Sequence, residues 1–349
     1  FGGVVATPML AIVAAAIGYL LLIGPIDYLL LGRVLGRLEL TWATFPAVVV
    51  AFAGGSYLLA NRYAGEQPRI NQLAIIDVDV ASGVTRGLVW AQAYSPVATR
   101  YDARVTPRGV AGPLAGPAGG YVTWLGMPGG GLAGVDTQAD SFSATAAAYR
   151  HSETLGEIAG VPINTRSTKS LVARWRGKGP AAIECRLAVA DSGLIEGVLT
   201  NASGGDLRQA WLAAGDWAWR LGDIADGAVL SIDDTRVPLT FNTLIRRDYL
   251  QPGDSAGAAP QFDANNLSLD GLAMLTMFTD TLRRSGFTTL GNGFTPPCDL
   301  SGALADGHAV LVARGAQPDG LLKGGAQAGR DPSPDDRCFY RFVLPVTQR

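Results

Sequence analysis

Two aspartates at alternate positions, Asp77 and Asp79, sit in the apolar run from Leu73 to Val80. On a strand, residues i and i+2 share a face, so this pair could bind calcium or divide acid and base roles. Asp335 and Asp336 offer the same chemistry from a Gly/Pro/Asp-rich stretch. Paired carboxylates of this kind are mostly solvated or turn-forming. The two histidines stand apart: His151 in the polar segment from Tyr149 to Glu153, and His308 after the turn Asp306-Gly307. Neither has a companion at the spacing of a Gly-x-Ser-x-Gly elbow, a P-loop or a His-Glu-x-x-His helix. Residues 129 to 134 match G-x-G-x-x-G formally, but no strand pattern precedes them and no amphipathic helix pattern follows, so a dinucleotide fingerprint is not supported. The residues therefore predict no catalytic constellation, no bound cofactor and no metal site.

Two further features carry chemistry. Of three cysteines, Cys298 and Cys338 flank a terminal helix and strand and are a candidate disulfide in an oxidising envelope, with Cys185 buried in a strand. Asp27 is the one acid in a long apolar segment, and an ionisable group inside a membrane is a functional candidate by default. It follows Gly24-Pro25 and comes within two turns of Arg33, which favours a structural role near the interface over a proton or ion pathway. Asp27→Asn is expected to leave membrane insertion intact and cost little stability.

The elements that must position these groups fall into two regimes. Of 349 residues, the first 60 hold just four charges, Asp27, Arg33, Arg37 and Glu39. Val4 to Leu31 would make a helix of about 42 Å, against a hydrocarbon core of about 30 Å. Ala43 to Ala60 would span about 27 Å, with Trp42, Tyr57 and Tyr63 as interfacial anchors. The short connection from Gly32 to Trp42 makes the two a hairpin, and Arg33 and Arg37 favour a cytoplasmic turn with the remainder extracytoplasmic. A secretory signal would need a basic n-region and a shorter apolar core. The chain begins Phe1-Gly2-Gly3, so an upstream portion is expected to be missing.

Beyond residue 66 the pattern alternates. Strands are expected at 73–80, 84–94, 101–105 and 171–175, then at 185–189, 194–199, 210–213, 217–221 and 229–232, with turn signals between. The second group suggests an immunoglobulin-like sandwich, in which the alternation of Trp217 and Trp219 favours core packing over a carbohydrate platform. Residues 108 to 140 read as a long loop. One helix is expected from Ser268 to Gly286, with Leu267, Leu272, Leu275, Phe278 and Leu282 on its packed face, and strands at 308–313 and 339–346 follow. The 45 glycines and 20 prolines suit turn-rich β structure. The fold class is thus membrane-anchored and mainly β: a transmembrane helical hairpin (1–66), a β-rich domain (67–178), an Ig-like antiparallel β-sandwich module (179–240) and an α+β terminal region (241–349).

A net charge of −2 leaves no basic stripe for nucleic acid and no polybasic lipid patch. Arginine outnumbers lysine 25 to 3, a skew read as genomic base composition rather than phosphate recognition.

Several segments carry a resemblance. Gly24-Pro25-Ile26-Asp27-Tyr28, Glu39 to Trp42 with Phe45-Pro46, Asn71-Gln72 before Asp77-Val78-Asp79, Trp124 to Gly129, Ser167 to Ser170, Gly197 to Asn201 and Tyr340 to Val346 are similar to an uncharacterised family of large planctomycete-type envelope membrane proteins. The resemblance covers nearly the whole chain. It implies a long extracytoplasmic region ahead of the hairpin and supplies topology without a reaction. Relatives tend to carry another residue at His308, which weakens that histidine further as a catalyst.

The expectation is an integral protein of the inner membrane with its C-terminal domain extracytoplasmic. It would be a structural or protein-interaction module, partnered by the bilayer and by other envelope proteins or its own N-terminal region. The alternatives are an extracytoplasmic hydrolase using carboxylates from separate loops, and a subunit of a membrane transport complex.

Overall fold

The computed structural model describes residues 9–34, 36–63, 69–125, 149–249, 269–284, 296–315, 322–324 and 337–348. The chain divides into two compact units. The first holds Phe1–Arg69 with the short segments Tyr94–Ala98 and Asn164–Ser167. The second holds Ile70–Ala93, Thr99–Ile163 and Thr168–Arg349.

In the first unit, α1 (Met9–Leu21) runs into a wide π-type turn, Leu22–Ile26, before α2 (Asp27–Leu29) and a second such turn, Leu30–Val34. Pro25 has no N–H to donate, and the Asp27 N–H instead reaches the Leu22 and Gly24 carbonyls, which widens the helix at the expected kink. A 3₁₀ turn at Leu38–Leu40 leads into α3 (Thr41–Tyr63). Tyr19 packs on Phe52 with ring centroids 4.7 Å apart. Ile12–Arg33 and Thr41–Leu58 are long and apolar enough to cross a membrane. Just 6% of the first span and none of the second is buried within the protein. Trp42 and Tyr57 are exposed, whereas Asp27 is buried at 8% exposure.

The second unit is mainly β. Its first strands are β1 (Arg69–Asp79), β2 (Val84–Ser95), β3 (Thr99–Val105), β4 (Arg108–Gly109), β5 (Gly112–Pro113) and β6 (Ala115–Leu125). There follow β7 (Arg150–His151), β8 (Glu157–Ile163), β9 (Ser167–Lys178), β10 (Ile183–Val189), β11 (Ile195–Asn201), β12 (Leu207–Ala214) and β13 (Trp217–Ile224). The set closes with β14 (Val229–Ile232), β15 (Leu239–Thr240), β16 (Ala309–Arg314), β17 (Leu322–Gly324), β18 (Arg337–Leu344) and β19 (Val346–Thr347).

Nine of these strands form one sheet in the order β15-β13-β12-β16-β18-β1-β2-β9-β6, drawing on 67–178, 179–240 and 241–349 alike. Its centre is the parallel pair β1 and β18, in register from Leu73 opposite Arg337 to Asp79 opposite Val343. Ala309–Ala313 and Cys338–Phe342 are buried without a break. Layers cover both faces here, so these strands read as continuous apolar runs rather than as alternation.

One face packs on β3 and β8 and on β10, β11 and β14, sharing a core with Ile76, Val89, Trp175, Leu212, Trp219 and Phe342. The opposite face is covered by α4 (Phe241–Tyr249), α5 (Leu269–Met277), α6 (Thr279–Arg284) and α7 (Ser301–Ala305) over Ile75, Leu88, Trp211, Val310 and Phe339. Trp211, Phe241 and Phe278 meet there with centroids 5.1 to 5.7 Å apart, within the range in which aromatic pairs add to their burial.

Several expectations are corrected. The expected loop at 108–140 holds β4, β5 and the eleven-residue β6, while 126–148 lie outside the described residues. Glycine-rich β6 has little strand propensity of its own, and pairing with β9 along the sheet edge supplies what it lacks. His151 belongs to a short exposed strand. The single helix expected from 268 to 286 is α5 and α6, and it is joined by α4 and α7. Leu275, Phe278 and Leu282 are buried as expected, while Leu267 and Gly286 lie outside the described residues. Trp219 is core but Trp217 is 40% exposed.

Candidate functional site

Toward its β6 edge, the helix-covered face of the large sheet carries a row of charge. β18 contributes Arg341, β1 Asp77, β2 Arg86, and β9 both Arg174 and Arg176. Strand period puts Arg174 and Arg176 on one face, opposite Tyr121 and Gly119 of β6. These side chains line a cavity of about 510 Å³. Ile75, Leu88, Leu155 and Pro297 give it an apolar wall.

Arg341 is 1% exposed, a burial that charged side chains tolerate only when paired. Its Nε donates to Asp77 Oδ1 at 2.6 Å and its Nη2 to Asp77 Oδ2 at 2.9 Å. Its Nη1 donates to the Cys298 carbonyl. The Asp77 carboxylate is thereby spanned on both oxygens, and Arg86 Nη2 stands a further 3.8 Å from Oδ2. Among the described residues, four arginines thus face one acid that Arg341 already holds. Arg174 Nε is buried and finds no acceptor among the described residues.

Trp175, next to Arg174, turns to the other face and donates its indole N–H to the Arg108 carbonyl at 3.0 Å. Its ring lies against Gly87, where a Cβ would stand 1.9 Å from Cζ2. Only glycine lets the ring lie against β2 in this way.

The residues singled out by sequence are scattered. Asp77 is in the cavity, but Asp79 is not its working partner: it closes the turn after β1 by accepting from the Ser82 hydroxyl at 2.5 Å and the Ala81 N–H at 3.1 Å. The Ser82 hydroxyl bond chiefly holds the Asp79 carboxyl below its ordinary range. Asp335, Asp336 and residues 129–134 lie outside the described residues. His151 stacks edge-on with Tyr149 at 5.8 Å on the surface. His308 leads into β16 with Nδ1 buried.

The expected disulfide is not formed. None of Cys185, Cys298 and Cys338 is disulfide-bonded, and Cys185 is half-buried rather than buried. Cys298 belongs to the core under the helices and Cys338 to the core on the opposite face, so the sheet separates them. Burial pushes the Cys298 thiol up to about 11, against the pull of the Arg341 charge, and Cys338 up to about 12. Such thiols stay protonated and are poor nucleophiles. Among the described residues no three of His, Cys, Asp or Glu gather in metal-binding range.

Sequence reasoning passed over the four arginines as base composition. Their signal was positional: Arg341 interrupts an otherwise apolar run, Phe339 to Leu344, and Arg174 sits between Leu171-Val172-Ala173 and Trp175.

Fold and site together define a mainly β domain with a cationic cavity on the helix-covered face of its largest sheet. In comparison with known families, residues 182–280 match the Domain of unknown function (DUF8725), a stretch that includes β10 to β15 and excludes every residue lining the cavity. No curated protein matches the chain.

Proposed function

We propose that the protein is a membrane-anchored envelope protein whose extramembrane domain is a structural or protein-interaction module. The observation that carries this reading is the composition of the cavity. Among the described residues its one carboxylate, Asp77, is spanned by Arg341, and arginine, always protonated, neither takes nor gives a proton. Such a wall is suited to holding a ligand in place. A hydrolase of the two-carboxylate kind would need a second acid converging on the same space.

The hairpin anchors the module through Ile12–Arg33 and Thr41–Leu58 in the inner membrane, with Arg33 and Arg37 at the cytoplasmic turn and the β domain outside. Strands β10, β11 and β14, sharing a core with β12 and β13, act as an immunoglobulin-like sandwich within that domain. Its partners are other envelope proteins or its own N-terminal region. Alkaline carbonate extraction combined with protease digestion of intact spheroplasts tests this. The expected result is a carbonate-resistant protein whose β domain is cut from outside. Release by carbonate, or a β domain shielded until the membrane is lysed, overturns it.

A further inference from the structure

We infer that the cavity between Asp77, Arg174 and Tyr121 is a binding site for a small amphipathic oxyanion, a carboxylate or phosphate carried on a compact apolar body. This goes beyond the interaction-module reading, which survives if it fails, because carbonate extraction and protease access do not depend on the cavity.

Three observations converge. First, charge: Arg174 and Arg176 face the space with no carboxylate partner among the described residues, and Arg86 reaches only the far oxygen of Asp77, at 3.8 Å, which Arg341 already spans. Second, satisfaction: Arg174 Nε is buried with no acceptor among the described residues, although buried donors in folded proteins are almost always paired. An oxyanion placed against the Arg174 guanidinium supplies the counter-charge that the side chain lacks among the described residues, and Arg176 and Arg86 lie on the same face to complete the charge. Arginine forks match the planar geometry of carboxylate and the oxygens of phosphate. Third, shape: about 510 Å³ falls inside the range of about 300–1,000 Å³ typical of small-molecule sites. Ile75, Leu88, Leu155 and Pro297 supply the apolar wall such sites share. A bare inorganic ion would leave that wall wet, so the ligand carries an apolar portion.

The strand geometry supplies a clean block. Gly119 lies opposite Arg176 on the edge strand, and a Cβ there meets no atom within 4 Å. A side chain at 119 thus starts in open space at the cavity wall, and a large one there is expected to occupy the cavity.

The test is calorimetric titration of the full chain in uncharged detergent with phenyl phosphate, benzoate, inorganic phosphate and benzylamine. Phenyl phosphate or benzoate is expected to bind saturably, inorganic phosphate more weakly, and benzylamine not at all. A preference between the first two distinguishes a phosphate ligand from a carboxylate. Arg174→Gln should weaken binding by roughly tenfold or more, the loss expected for one charge-assisted hydrogen bond. Gly119→Phe should abolish it. Both variants are expected to melt like the parent, and Arg176→Gln serves as the alternative if either does not. Absence of anion binding, equal binding of benzylamine, or unchanged affinity in folded Arg174→Gln and Gly119→Phe overturns the inference.

Discussion

Asp77 on β1 and Arg341 on β18 stand directly opposite each other in the parallel strand pair β1·β18 of the large sheet, joined by two hydrogen bonds of 2.6 and 2.9 Å. They are 264 residues apart in the chain. The first strand after the two apolar helices is therefore tied to one of the last by a buried, charge-assisted contact that also reaches the Cys298 carbonyl and so the turn ahead of α7.

Desolvating two charges costs about what their attraction returns, so this pair specifies register more than it adds stability. Breaking it is another matter. Asp77→Ala leaves the Arg341 guanidinium buried and unpaired, and should cost about 3–5 kcal/mol. The double replacement Asp77→Leu with Arg341→Met should recover most of that loss. Urea titration of the two variants checks this; a single variant no less stable than the double would mean that the pair is not an electrostatic unit.

Trp175 and Gly87 provide a second expectation. The indole ring occupies the space of a β-carbon at 87, with 1.9 Å left to Cζ2. The ring is held from behind by its hydrogen bond to the Arg108 carbonyl and is 3% exposed. Gly87→Ala must therefore move Trp175 and break that bond, at a cost of about 1–3 kcal/mol for overpacking. The tryptophan emission should shift to the red as the indole loses its burial. Unchanged stability and emission would show that the ring has another place to go.

Asn201 closes β11 from inside the core. At 2% exposure, its Nδ2 donates to the carbonyls of Gly205, Ile224 and Ala225, and its Oδ1 accepts from the Ser203 hydroxyl and N–H. One side chain thus serves the turn after β11 and the turn after β13. Asn201→Leu retains size but leaves three carbonyls without this donor, and an unsatisfied buried polar group costs about 1–3 kcal/mol. A loss of at least about 2 kcal/mol in chemical denaturation is expected. A loss below about 0.5 kcal/mol, the scale of an ordinary surface change, would rule the network out as a fastening.

Part of this structure was legible from the chain. β1, β2, β10, β11, β12 and β13 follow from apolar alternation and Asp/Gly turns, because local pattern reports local burial. β6 did not, since Ala115 to Gly120 hold nothing that favours a strand, and the edge of β9 decides. The parallel contact of β1 with β18 is a tertiary fact with no local trace. The site was half visible. Asp77 stood out as a carboxylate, but its meaning depends on a partner 264 residues away, and pairing it with Asp79 followed sequence distance rather than space. Arg174 and Arg341 were readable as charges inside apolar strands, which is the signal that a count of arginines hides.

The cysteines make a final expectation whose sign can be worked out. Cys298 is raised from an ordinary 9.0 to about 11 and Cys338 to about 12, each by burial away from water. For a group whose folded value lies above its unfolded one, the stabilising contribution is whole below the unfolded value and is lost as pH climbs through the folded one. Between pH 8 and 12 the unfolded chain sheds these protons first, so folding stability must fall with rising pH across that window. The urea midpoint should drop from near pH 8 to near pH 10.5, and the drop should shrink in the variant carrying Cys298→Ala and Cys338→Ala. The native protein should resist a thiol reagent near neutral pH at both buried positions, and all three thiols should react once the chain is unfolded. Fewer than three thiols in the unfolded, non-reduced protein would instead mean a bridge, and with it a sheet that does not separate Cys298 from Cys338.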